Sequence, residues 1–90
     1  MLIALIARDK PGHLQTRVDN RAAHLAYIEE TGVVAQAGPL LDQDGEMAGS
    51  LVILDVEDMA AGEAWAAADP YNKAGLFEAV ELITWKKVIG

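Results

Sequence analysis

The sequence predicts a small α+β fold in which one four-stranded antiparallel sheet carries helices on one face. Three observations lead there. Apolar runs of strand length lie at residues 1–7, 33–41, 50–56 and 76–88, each closed by charge or turn residues. Two stretches between them, 13–31 and 57–68, are rich in helix-forming residues. The resulting order, β-α-β-β-α-β, packs most simply as one helical layer on one sheet, a ferredoxin-like arrangement.

Each element has its own local reason. Residues 1–7 (MLIALIA) are continuously apolar and end at Arg8-Asp9-Lys10-Pro11-Gly12, which reads as a buried strand followed by a turn. From 13 to 31 there is no Pro or Gly. Leu14, Val18, Ala22, Leu25 and Ile28 recur there at helical spacing and predict the buried stripe of a first helix. Gly32 is placed to end it in a left-handed conformation. Val33 to Leu41 reads as a second strand, and Pro39, which has no amide donor, assigns it to a sheet edge or a bulge. Asp42 to Gly49 contains Asp-Gly and predicts a hairpin into a third strand, Ser50 to Val56. Glu57 to Ala68 predicts a second helix despite Gly62, with Glu57 and Asp58 at its positive end. Asp69-Pro70 ends that helix and can start one further turn, which Gly75 stops. The last strand lies within Leu76 to Val88, best between Val80 and Trp85.

The length of 90 residues fits one domain, expected to span 1–90. There is no Cys, so disulfides and thiolate metal sites are excluded, and two His argue against a zinc site built on several of them. A hydrophobic fraction of 52% argues against disorder. Fourteen acids against seven bases give a net charge of -7, which disfavours a nucleic-acid backbone or an anionic membrane as partner. The apolar start is too short to span a membrane and lacks the flanks of a signal peptide, so a cytoplasmic location is expected.

The strands also speak to a partner. A sheet with one wet face should alternate apolar and polar residues, yet Met1 to Ala7 and Leu51 to Leu54 are unbroken apolar runs. Helices cover one face only, and an apolar second face is rarely left open in a soluble monomer. A symmetric homodimer packed sheet against sheet is expected.

Few residues carry chemistry. His24 lies beside Ile28 on a 100° wheel, at the edge of the predicted stripe, and an imidazole there suits proton transfer. The same wheel sets Arg21 inside the stripe, where it needs a carboxylate or must reach outward. Arg17, seven residues before His24, nearly eclipses it, so Arg17, Arg21 and His24 form a basic strip suited to a small carboxylate-bearing molecule, or to internal salt bridges. Asp69 before Pro70 is an ordinary helix cap. One of its oxygens could cap the turn while the other fixes a histidine tautomer. Spacing alone leaves open whether His24 and Asp69 meet. Arg8 and Asp9 close the first strand, where binding groups gather. Tyr71 and Trp85 could line a pocket or belong to the core. No P-loop, dinucleotide fingerprint or nucleophile elbow is present, so no cofactor and no metal is expected.

Three segments taken in order resemble the YciI-like, or YCII-related domain, family. They are Arg21-Ala-Ala-His24-Leu25-Ala-Tyr27, then Ala37-Gly38-Pro39-Leu40-Leu41 with the later Gly49-Ser50-Leu51, then Asp69-Pro70-Tyr71-Asn-Lys73-Ala74-Gly75-Leu76-Phe77. The resemblance spans nearly the whole chain. It implies a ferredoxin-like fold in a dimeric α/β barrel and a site centred on a His/Asp pair, here His24 and Asp69. Most members of that family have no assigned reaction. A few relatives act on chlorinated aromatic breakdown products, and the wider barrel group includes muconolactone isomerases and small monooxygenases. The functional expectation is a cofactor-free enzyme performing isomerisation or elimination on a small anionic metabolite. In it, His24 acts as acid and base, Asp69 orients it, and Arg8, Arg21 and Tyr71 hold substrate. The alternative is a non-catalytic binding or accessory module that uses the same cleft.

Overall fold

The structure is a computed structural model describing residues 1–90. The elements are β1 (Leu2–Asp9), α1 (Leu14–Thr31), β2 (Val34–Leu41), β3 (Met47–Asp55), α2 (Met59–Ala68), the single turn α3 (Pro70–Lys73) and β4 (Phe77–Thr84). The β-α-β-β-α-β order is therefore realised, with α3 as the extra turn before β4. Gly32 closes α1 in the left-handed conformation, its amide donating to the Ile28 carbonyl. α2 starts two residues later than expected, because Asp58 is its cap and accepts from the Ala61 amide.

The strands form one antiparallel ferredoxin-like sheet in the order β2-β3-β1-β4. β2 is an edge strand, which is where Pro39 can sit without costing a ladder bond. In the central pair Ile3 faces Leu54, Leu5 faces Val52 and Ala7 faces Ser50. These residues point toward the helices. With Trp65 and Ala66 of α2, all but Ser50 make the buried core. Gly62 explains how α2 reaches the sheet: a Cβ there would lie 2.8 Å from Ile3 Cδ1. α1 and α2 are tied reciprocally. Trp65 Nε1 donates to Thr31 Oγ1 at 2.9 Å, and the Tyr27 hydroxyl donates to the Trp65 carbonyl at 2.8 Å.

The other face of the sheet carries Ala4, Ile6, Leu51, Ile53 and Ile83 with no element packed over it. Leu51 is 40% and Ile83 52% exposed. No helix is long and apolar enough to cross a membrane.

The predicted stripe of α1 is corrected by the structure. Val18 and Leu25 are each half exposed, whereas Arg17 and His24 are buried. At 100° per residue the inward face, which runs through Arg17, His24, Ile28 and Thr31, is turned roughly a quarter turn from the apolar stripe. His24 consequently lies near the centre of the inner face, and Arg21 lies outside it, exposed. The reason is chemical. The inner face of α1 is filled by polar side chains that find partners on β1, β3 and α3, and apolar residues are left outside.

Candidate active site

Arg17 is the first anchor. It projects from α1 toward the end of β1, where a register shift between Arg8 and Asp9 interrupts the pairing with β4. Arg17 Nε donates to Asp9 Oδ2 at 2.7 Å and Nη2 donates to Asp9 Oδ1 at 2.8 Å. Nη2 also donates to Ser50 Oγ at 2.9 Å. Arg17 and Ser50 are each 3% exposed. Burial by itself lowers the Arg17 pKa, but the hydrogen bonds and charge of Asp9 outweigh it and hold the guanidinium above its ordinary value. Gly49 lets β3 lie close enough for this, since a Cβ there would run into the Ala7 carbonyl oxygen.

His24 is the second anchor, two turns along the same helix. Its Nδ1 lies 2.8 Å from Asp69 Oδ1. An ionised carboxylate only accepts, so Nδ1 carries a proton and Nε2 is the bare nitrogen of the neutral ring. Asp69 Oδ1 also accepts from the Tyr71 amide at 3.0 Å. The sequence reading divided capping and histidine orientation between two oxygens; one oxygen performs both. The cap therefore fixes the carboxylate that fixes the imidazole.

Tyr71, on α3, joins the two anchors. Its ring stacks on His24 with centroids 3.9 Å apart and planes 14° apart. The Arg17 guanidinium carbon stands 4.7 Å from the same centroid. Burial pushes the Tyr71 phenol up, while the positive charges of Arg17 and Arg21 pull it back, and the net direction is up. The phenol is thus a neutral donor at physiological pH.

A hollow of about 190 Å³ opens between α1 and strands β2 and β3. Its polar lining is Arg17, Arg21, His24, Ser50 and Tyr71, and its apolar wall includes Ile28, Pro39, Met47 and Val52. No acidic residue lines it, on a chain of net charge -7. Asp9 and Asp69 stand behind Arg17 and His24. No sealed side-chain nitrogen or oxygen lacks a hydrogen-bond partner. His24 Nε2 and Arg17 Nη1 bond no protein atom. Both residues line the hollow, and neither atom is sealed from solvent.

Of the residues expected from sequence, His24, Asp69, Tyr71 and Arg21 are brought together, with Arg21 at the exposed rim. Arg8 is not. Ala7 and Asp9 face the helices, so strand alternation sends Arg8 to the opposite face, where it is exposed. Trp85 is 38% exposed beyond β4 and does not line the hollow. Sequence reasoning missed Ser50 and the tie between Arg17 and Asp9. The signals were present: Ser50 heads the apolar run Leu51 to Leu54 with the parity of Val52 and Leu54, and Asp9 shares the inward parity of Ile3, Leu5 and Ala7.

A one-sheet ferredoxin-like fold with a buried His–Asp pair beside a cation-lined hollow defines the class of protein. Comparison with known proteins makes it particular: the chain belongs to the YCII-related domain family, whose model matches residues 1–86. It is 38% identical to Protein YciI of Escherichia coli O6:H1 over 97 residues, covering 98% of this chain and 99% of that one. An uncharacterized protein of Haemophilus influenzae is 32% identical over the same shares. Among solved structures, the 5-chloro-2-hydroxyhydroquinone dehydrochlorinase TftG from Burkholderia phenoliruptrix, in complex with 2,5-dihydroxybenzoquinone, is 39% identical with a TM-score of 0.87. That match covers 96% of this chain and 94% of TftG. An antibiotic biosynthesis monooxygenase, 12% identical with a TM-score of 0.61 over 99% of this chain and all of that one, shares the fold.

Proposed function

We propose that this protein is a cofactor-free enzyme in which His24, oriented by Asp69, moves a proton on a small anionic substrate, the outcome being elimination or isomerisation. The observation that carries this reading is the 2.8 Å bond from His24 Nδ1 to Asp69, which leaves Nε2 open to the hollow. In the forward step Nε2 takes a proton from a substrate carbon or hydroxyl. The freed electron pair either expels a leaving group from a neighbouring position or is reprotonated elsewhere by the imidazolium. Asp69 stabilises the imidazolium without taking the proton. Arg21 draws the anion to the rim, and Tyr71 offers a neutral hydroxyl to it.

The substrate class follows from the lining. Two guanidinium groups, an imidazole, a phenol and a serine face a space with no carboxylate. Such a surface favours a molecule presenting anionic oxygens at one end and an apolar body at the other. The dehydrochlorinase activity of the 39% identical TftG supports elimination within that class. A homodimer is part of the proposal: a second copy packed on the bare face would cover Ile6, Leu51 and Ile53, which the fold leaves without helices.

The test is chloride release from 5-chloro-2-hydroxyhydroquinone. The wild type is expected to release chloride, and His24→Ala to lower the rate by about a hundredfold or more in a chain that circular dichroism shows still folded at the assay temperature. Equal rates in the two proteins would remove His24 from the chemistry. A compound that binds and is recovered unchanged would favour a binding module.

A further inference from the structure

The mechanism above uses His24 Nε2 and leaves open what holds the oxygen of the substrate on which negative charge gathers. We propose that Arg17 Nη1 and the Ser50 hydroxyl form a fixed two-donor cradle for one such oxygen; this rests on the reading of the hollow as the site of an anionic substrate. The hydrogen-bond inventory determines the polarity of both groups. On Arg17, the Nε hydrogen goes to Asp9, and Nη2 is used by Asp9 and Ser50 together. Nη1 bonds neither Asp9 nor Ser50; it stands beside the Tyr71 side chain, is not sealed, and belongs to a residue that lines the hollow. Ser50 Oγ accepts from Arg17, a group that has no acceptor of its own. The Ser50 proton is therefore turned away from Arg17, and no protein atom accepts it.

Both donors are immobilised before any ligand arrives. The bidentate Asp9 bond fixes the plane of the guanidinium, and Arg17 in turn holds the Ser50 oxygen and biases its hydrogen away from itself. Arg17 and Ser50 are 97% buried, so their donor capacity is presented only inward. Preorganised donors in a dry site stabilise developing negative charge without having to reorient. The cradle joins Arg17 of α1 to Ser50 of β3, and it lines one space with His24, two turns from Arg17 on the same helix. Arg21 is set apart by its exposure and acts in attraction rather than in the cradle. In this arrangement Asp9 is a positioning residue: it touches no substrate and acts through Arg17.

The experiment compares benzoate with benzamide, followed by amide chemical shifts during titration of wild type and Ser50→Ala. Benzoate presents two acceptor oxygens, while benzamide replaces one with a donor that the cradle cannot meet. Wild type is expected to bind benzoate several-fold more tightly than benzamide. Ser50→Ala is expected to weaken benzoate five- to tenfold and benzamide less than twofold. Arg17→Lys, which keeps the charge but cannot bond Asp9 and Ser50 together, should reduce the same preference. Equal benzoate affinity in wild type and Ser50→Ala overturns the cradle alone. Equal weakening of both compounds also overturns it, because that is the mark of a changed cavity. Failure of benzoate to bind wild type overturns the anion-receiving hollow and the cradle with it.

Discussion

The two faces of the sheet solve opposite problems with the same strands. On the helix side, the β1–β3 ladder begins apolar at Ile3 and Leu54 and turns polar at Ser50, opposite Ala7, with Asp9 beyond it on β1, under a helix whose buried residues are Arg17 and His24. On the other side, the alternate residues Ala4, Ile6, Leu51 and Ile53 stay apolar with no helix over them; Leu51 is exposed, whereas Ala4 and Ile53 are buried. The covered face has its buried charges paired; the other face has an apolar centre with Arg8, Asp55 and Glu81 around it. The lesson is that a one-residue change of parity separates the hollow from the face that no helix covers. Arg8 and Asp9 are neighbours in sequence, and only Asp9 belongs to the hollow.

The sharpest way to break this comparison is to damage each face in turn. Arg17→Met removes one member of a buried pair and leaves the Asp9 carboxylate unpaired in the interior. A loss of about 3–5 kcal/mol is expected in urea unfolding, as for other broken buried pairs. A loss below about 1 kcal/mol would show that Asp9 reaches water when Arg17 is gone.

On the bare face, Leu51→Asp should behave differently. Leu51 is 40% exposed, so the isolated fold should lose no more than about 1 kcal/mol. The assembly should change instead: light scattering at micromolar concentration is expected to give two chains for wild type and one for the variant. One chain for the wild type would remove the dimer.

The smallest expected effect concerns alkaline pH. Burial raises the Tyr71 phenol above its ordinary value near 10, against the pull of Arg17 and Arg21. Burial and the Asp69 charge raise Tyr27 likewise. A raised folded value means that the folded state keeps its proton longer than the unfolded chain. The corresponding stability is complete below about pH 10 and is lost as pH rises through the folded value. Tyr71→Phe should therefore flatten the alkaline fall in melting temperature relative to its own neutral value. An unchanged slope would mean that the phenol does not sense its burial.

Much of this was legible in the residues. The order of elements along the chain, the Gly32 stop and the placing of Pro39 at an edge or a bulge followed from local chemistry that the tertiary structure did not override. The bare face was legible as missing alternation in MLIALIA and LVIL. The orientation of α1 was not. Counting apolar residues pointed Val18 and Leu25 inward, because a hydrophobic wheel assumes that buried means apolar. In a helix that carries a site, buried polar groups with partners displace that pattern by roughly a quarter turn. The partners, Asp9 and Asp69, sit eight and 45 residues away in sequence, and no helical spacing encodes them. The resemblance gave His24 and Asp69 their roles; Ser50 gained one only when the register set it opposite Ala7, within reach of Arg17.

The central claim is that Asp69 holds the His24 ring so that Nε2 is the bare nitrogen facing the hollow. Nitrogen-15 NMR of the imidazole in its neutral form reads this directly. The account predicts a proton on Nδ1 and none on Nε2 in the wild type, with mixed tautomers in Asp69→Ala. A wild-type ring carrying its proton on Nε2 would contradict it.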